Sequence, residues 1–134
     1  MVSEAVSGAL SSYTVSETGV LRTVSGSVAD GQKAACWVAV TKNGHFAYTA
    51  NAASGTISSY AIGEGGALKL LQSVAATTHA GPNDMTLSKN SRFLYVFDSG
   101  AHEIQGFSVG EEGGLTWLST VSGIPAGAAG LAAN

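Results

Sequence analysis

Three features of the sequence predict an all-β chain made of β-propeller blades: a gapless internal repeat, four short β-type segments in each period, and glycines scattered between segments. The phrase LSSYTVSETGVL at Leu10 recurs as ISSYAIGEGGAL at Ile57 and as IQGFSVGEEGGL at Ile104, a constant step of 47 residues. The same step lays WVAVTKNGHFAYTAN on DMTLSKNSRFLYVFD, pairing Lys42 with Lys89, Asn43 with Asn90, Phe46 with Phe93 and Tyr48 with Tyr95. Periods of about 40 to 50 residues mark solenoids and propellers.

In the clearest period the apolar, β-branched and aromatic residues fall at 37–41, 46–50, 56–62 and 68–74, and these are expected to be strands. Turn residues separate them at 42–44 (Lys-Asn-Gly) and 63–66 (Gly-Glu-Gly-Gly), each offering a position that accepts positive φ. No window carries a sustained 3.6-residue apolar period with capping residues, which argues against helical repeats of similar length. Four antiparallel strands per period make one propeller blade.

The register divides a single domain, 1–134, into the outer strands of one blade (about 1–36), a second blade (37–83), a third blade (84–123) and an inner closing strand (124–134). Propellers have at least about four blades, so three leave two sheet faces and two strand edges uncovered, and such edges pair with other chains. Homo-oligomerisation is therefore expected. A dimer giving about six blades is preferred, and a trimer giving about nine is the second option. The C-terminal strand of one chain is expected to complete a blade begun by an N-terminus.

Composition excludes other classes. A net charge of −3 with six scattered Lys and Arg residues provides no phosphate-binding stripe, so nucleic acid is not an expected partner. The single cysteine, Cys36, makes no internal disulfide and has no metal-ligand neighbours at a recognised spacing. No apolar run approaches the roughly 18 residues of a membrane span, and MVSEAVSG lacks the pattern of an export signal. The chain reads as soluble, with no membrane partner and with its compartment open.

Residues AGPNDMTLSKNSRFLYVFDSG from Ala80 and FAYTANAASGTISSYAI from Phe46 resemble the blade phrase of the seven-bladed β-propeller lactonase family, which includes 6-phosphogluconolactonase and carboxymuconate-lactonizing enzyme. The tail VSGIPAGAAGLAAN resembles the C-terminal strand of that family, so the match reads as a C-terminal portion of about three blades. The resemblance implies hydrolysis of a sugar lactone at the central channel, using arginine, histidine and glutamate. One family position follows Gly-Pro with Arg-His. Here Asn83-Asp84 follows Gly81-Pro82, and Cys36-Trp37 stands at the equivalent place one blade earlier. These departures weigh against catalysis by this chain alone, so enzyme activity stays an open alternative to a self-associating scaffold.

Propeller connectivity places the approach to a first strand and the turn between second and third strands on one face. His79, Asp84, His102 and Glu103 are the candidate catalytic residues, able in principle to activate water for attack on a lactone carbonyl. Asn83, Asn51, Asp98 and Trp37 are the candidate ligand contacts, for a small molecule in the channel. The bland reading makes Asn51, Asp98 and Asp84 turn and backbone partners, the histidines solvated loop residues and Trp37 a packing residue. His45 falls on the opposite face and is expected in a turn. No metal or other cofactor is expected, because His79, Asp84, His102 and Glu103 have no ligand spacing. Ser58-Ser59 lacks a nucleophile elbow, and no glycine-rich loop leads into a helix.

Overall fold

A computed structural model describes all 134 residues. Eleven strands form three antiparallel sheets in chain order. Sheet 1 holds β1 (Val2–Glu4), β2 (Ala9–Val15) and β3 (Leu21–Ala29). Sheet 2 holds β4 (Ala35–Val40), β5 (Phe46–Asn51), β6 (Thr56–Ile62) and β7 (Leu68–Thr77). Sheet 3 holds β8 (Pro82–Leu87), β9 (Phe93–Asp98), β10 (Glu103–Val109) and β11 (Leu115–Ser122). One 3₁₀ turn, Glu64–Gly66, joins β6 to β7. No helix is long and apolar enough to cross a membrane.

Each expected strand of the second blade is present. Its first strand begins at Ala35 and its last runs on to Thr77, because antiparallel pairing to Asn51 and Thr56 extends beyond the apolar stretches. Turn chemistry holds as well: Gly44 has φ 71°, and Ser91, one period later, is forced to φ 56°. The last two strands of each sheet shift register near Ser12, Ser59 and Gly106, equivalent positions in the repeat. A bulge there increases strand twist, as radially stacked blades require.

The sheets stack face to face, with the first strands β4 and β8 side by side and β1 next to β4. Between sheets 2 and 3 lies a core of Ala39, Tyr48, Ala50, Ile57, Met85, Leu94, Val96 and Phe107. Between sheets 1 and 2 a smaller core of Leu10, Ala47 and Tyr60 is flanked by Val28, Val38, Ile62, Leu68 and Leu70. Every buried Leu, Ile or Phe in such a core contributes roughly 1.5–3 kcal/mol. Polar contacts set the spacing of the stack. The Tyr48 hydroxyl donates to the Gly113 carbonyl at 3.1 Å, and the Lys42 amide to the Ser91 hydroxyl at 2.8 Å. Gly113 must lack a side chain, since a Cβ would stand 2.6 Å from the Phe46 ring.

Residues 124–134 form no strand. The inner closing strand expected there has no second strand beside it in this structure, so no ladder forms, and its backbone bonds are local ones such as the Ile124 amide to the His102 carbonyl at 2.9 Å. It nonetheless lies against sheet 3: the Leu131 amide donates to Asp84 Oδ2 at 2.7 Å, across one full period.

Asp30, at the end of sheet 1, is 1% exposed and ties that sheet to the next. It accepts from the Gln32 amide at 2.8 Å and from the Thr49 hydroxyl at 3.2 Å, with the Tyr60 hydroxyl at 3.4 Å. Replacing it strands buried donors. Asp30→Ala is expected to destabilise the fold by about 1–3 kcal/mol, read as a lowered midpoint in urea or thermal unfolding.

Candidate functional site

The end of each sheet where second strands finish carries one repeated polar position: Glu4, Asn51 and Asp98 are equivalent under the 47-residue step. In sheet 1, Glu4 accepts from the hydroxyls of Ser7, Ser11 and Ser27, and those hydrogen bonds hold its carboxyl down to about 2. In sheet 2 the network is neutral. Asn51 Nδ2 donates to Ser58 Oγ at 2.8 Å and to Thr56 Oγ1 at 3.3 Å, and Thr56 Oγ1 donates to Gln32 Oε1 at 3.0 Å.

Sheet 3 replaces every member of that network. His79 stands at the place of Gln32, Glu103 at Thr56, Asp98 at Asn51 and Gln105 at Ser58. The same fold geometry now joins His79 Nδ1 to Glu103 Oε1, an ion pair when the imidazole is protonated. The His79 side chain is 59% exposed and that of Glu103 10% exposed. His79 Nε2 has no protein partner. Behind them Asp98 is fully buried, and neither of its carboxylate oxygens has a well-formed hydrogen bond. Gln105 Oε1 is likewise buried and unpartnered.

Burial pushes the Asp98 carboxyl up to about 6, an effect that the Thr78 hydroxyl and the His79 amide only partly offset, while Glu103 adds repulsion. An exposed imidazole backed by a buried carboxylate can take a proton from water, and a second acid held partly neutral can return one. No group of three His, Cys, Asp or Glu side chains has an arrangement that would hold a metal ion.

The other candidates lie elsewhere. Asp84 is 6% exposed and serves the tail through Leu131, with Oδ1 unpartnered. His102 is an exposed turn residue at φ 56°, and its carbonyl accepts from the Ile124 amide. Asn83 is exposed, whereas Asn51 is fully buried with its amide donors already used. Trp37, 45% exposed, lines a hollow of about 360 Å³ with Met1, Val2, Ser3, Cys36 and Val38. His45 is exposed beside Phe46, at the opposite end of β5 from Asn51. Gln105 escaped the sequence reading, although the 47-residue step onto Ser58 marks it.

A buried acid with a raised pKa makes the fold less stable as it ionises. Because the folded state holds the proton more tightly than the unfolded chain, stability contributed below about pH 4 is lost as pH rises through 6. Asp98→Asn reproduces the Asn51 position and removes that dependence. It is expected to raise stability at pH 7.5 by about 1–3 kcal/mol while changing little at pH 4, as measured by urea unfolding at both pH values.

Comparison with known proteins agrees with this architecture. A protein of unknown function from Desulfotomaculum acetoxidans DSM 771 superposes with a TM-score of 0.79 at 18% identity, over 90% of this chain and 37% of its own. The periplasmic gluconolactonase PpgL of Pseudomonas aeruginosa superposes with a TM-score of 0.72 at 19% identity, over 91% of this chain and 36% of its own. A Lactobacillus plantarum protein gives 0.77 at 20% identity, over 90% and 37% respectively. This chain therefore spans little more than a third of the length of these structures, and at such identities the likeness is one of fold. No curated protein matches the chain. The family described as lactonase, 7-bladed beta-propeller, matches residues 1–86, well over half the sequence, and the chain belongs to that family.

Proposed function

We propose that this chain is a propeller-blade array that self-associates to complete a ring, acting as a scaffold around a central channel. The observation that carries the reading is the exposed apolar outer face of sheet 1. Val2, Tyr13, Val15 and Leu21 are 49%, 38%, 66% and 64% exposed. One period later the equivalent residues Thr49 and Tyr60 are fully buried, with Ile62 and Leu68 packed beside them against sheet 1. The outer face of sheet 1 thus keeps the chemistry of an inter-blade face without a blade to cover it. Apolar faces of this kind associate, and a ring leaves none exposed.

Three blades per chain make six from two copies, a closed ring of ordinary size. Light scattering on eluting protein is expected to give twice the 13.4 kDa of one chain over a wide dilution range. A folded monomer at all concentrations overturns the reading.

A second reading is a sugar-lactone hydrolase whose site forms on assembly. It is favoured by the His79–Glu103 pair set beside the buried Asp98. His79 takes the proton of an attacking water, Glu103 holds the ring through Nδ1, and the channel supplies the substrate's remaining contacts. Assembled protein is then expected to hydrolyse at least one member of a sugar-lactone panel, with His79→Ala and Glu103→Gln each lowering kcat by about 100-fold or more. Absence of turnover across the panel counts for the scaffold.

A further inference from the structure

Two segments of the chain carry unsatisfied inner-strand geometry. The first is the free edge of β1. In sheet 2 the inner strand β4 pairs with β5, and in sheet 3 β8 pairs with β9, but β1, the equivalent second strand of sheet 1, pairs only with β2. The hollow of about 360 Å³ between Met1-Val2-Ser3 and Cys36-Trp37-Val38 lies along that free edge, where a strand alongside β4 would run. The second segment is the tail. Leu131, Ala132 and Ala133 lie one period after Asp84, Met85 and Thr86 of β8, and the tail already rests on sheet 3 through the Leu131–Asp84 hydrogen bond. It flanks Tyr95, Ile104 and Val121, around a hollow of about 410 Å³.

The geometry points to a strand exchange between copies: residues 129–134 of one copy fill the groove between β1 and β4 of a second, as the inner strand of its sheet 1. The assignment rests on the self-association proposed above and specifies its contact. The register follows from the repeat. Trp37 pairs with Ala50 and Asp84 with Phe97, so Leu131 pairs with Ser3; likewise Ala132 pairs with Val2 and Ala133 with Met1. The stacked faces agree with this register. Val2 and Tyr13 occupy the places of Val96 and Phe107, which fill the core against Tyr48 and Ile57, so they cover Tyr95 and Ile104 of the other copy.

A polar contact repeats too. The Tyr48 hydroxyl meets the carbonyl of Gly113, in a turn where Gly113 has φ 79° and its amide bonds back to Gly110. The turn two periods earlier has the same build, with Gly19 at φ 80° and its amide bonded to Ser16. Tyr95, equivalent to Tyr48, lies on the outer face of sheet 3 and donates to the Gly19 carbonyl of the second copy. Strand addition of this kind satisfies backbone groups on both chains and leaves no apolar sheet edge open.

The test is a disulfide at the matched pair. Full-length protein carrying Cys36→Ser, Ser3→Cys and Leu131→Cys is mildly oxidised and run on a non-reducing gel, with light scattering on the same sample. A covalent species of two chains that reverts on reduction is expected. Substituting Val2→Lys at the exposed edge is expected to weaken association at least about tenfold while circular dichroism stays that of the parent. An oligomer that forms no 3–131 disulfide overturns the strand exchange but leaves self-association standing. A monomer at every concentration, or a monomer closed by its own 3–131 disulfide, overturns both.

Discussion

Each blade is a sheet with two apolar faces, and the need to cover both governs the structure. A single four-stranded sheet of this composition buries nothing by itself. Sheet 2 alone is covered on both sides, and its faces supply Tyr48, Ala50 and Ile57 to one core and Ala47 and Tyr60 to the other. The order of the sheets, the approach of β4 to β8 and the tight fit of Gly113 against Phe46 are consequences of bringing those faces together. Hydrogen bonds such as those of Tyr48 and Asp30 then fix the distance and angle that packing alone leaves loose.

The same constraint explains why the chain ends are chemically unlike its middle. Tyr60 and Phe107 are buried, while Tyr13 at the equivalent place is 38% exposed. Met85 is buried in a core, while Ala132 at the equivalent place sits on an exposed tail. A repeat array distributes its stability among neighbouring interfaces, so its first and last units are the weak ones unless something covers them. The chain spans little more than a third of the length of the matched structures.

The polar ends of the sheets show how one backbone arrangement carries different chemistry. Gln32, Asn51, Thr56 and Ser58 form a neutral hydrogen-bonded set in which Asn51 Oδ1 alone stays buried without a partner, whereas His79, Asp98, Glu103 and Gln105 bring carboxylates to the same positions and leave both Asp98 oxygens and Gln105 Oε1 unpartnered. Neutral amides and hydroxyls satisfy one another at small cost, while buried carboxylates need either a cation or a proton. Sheet 3 meets that need with His79 at its surface and a raised Asp98 within. Such an arrangement lowers stability at neutral pH, because the raised carboxyl must ionise inside the sheet.

Sequence alone determined the blade count, the strand order and most strand limits, because a 47-residue repeat with period-2 patterning and turn residues at fixed offsets is local information. It also grouped His79, Asp98 and Glu103 on one face through connectivity, and it placed His45 on the other. What it left undecided were contacts that depend on distance in space. Which carboxylate meets His79, how deeply Asp98 is buried, that Asn51 spends its donors inside sheet 2, and that Asp84 reaches the tail all follow from tertiary packing. Residues 124–134 show the boundary most clearly: the repeat register marks them as an expected inner strand, but a strand exists only where a neighbouring backbone shares its hydrogen bonds, and no second strand lies beside them in this structure.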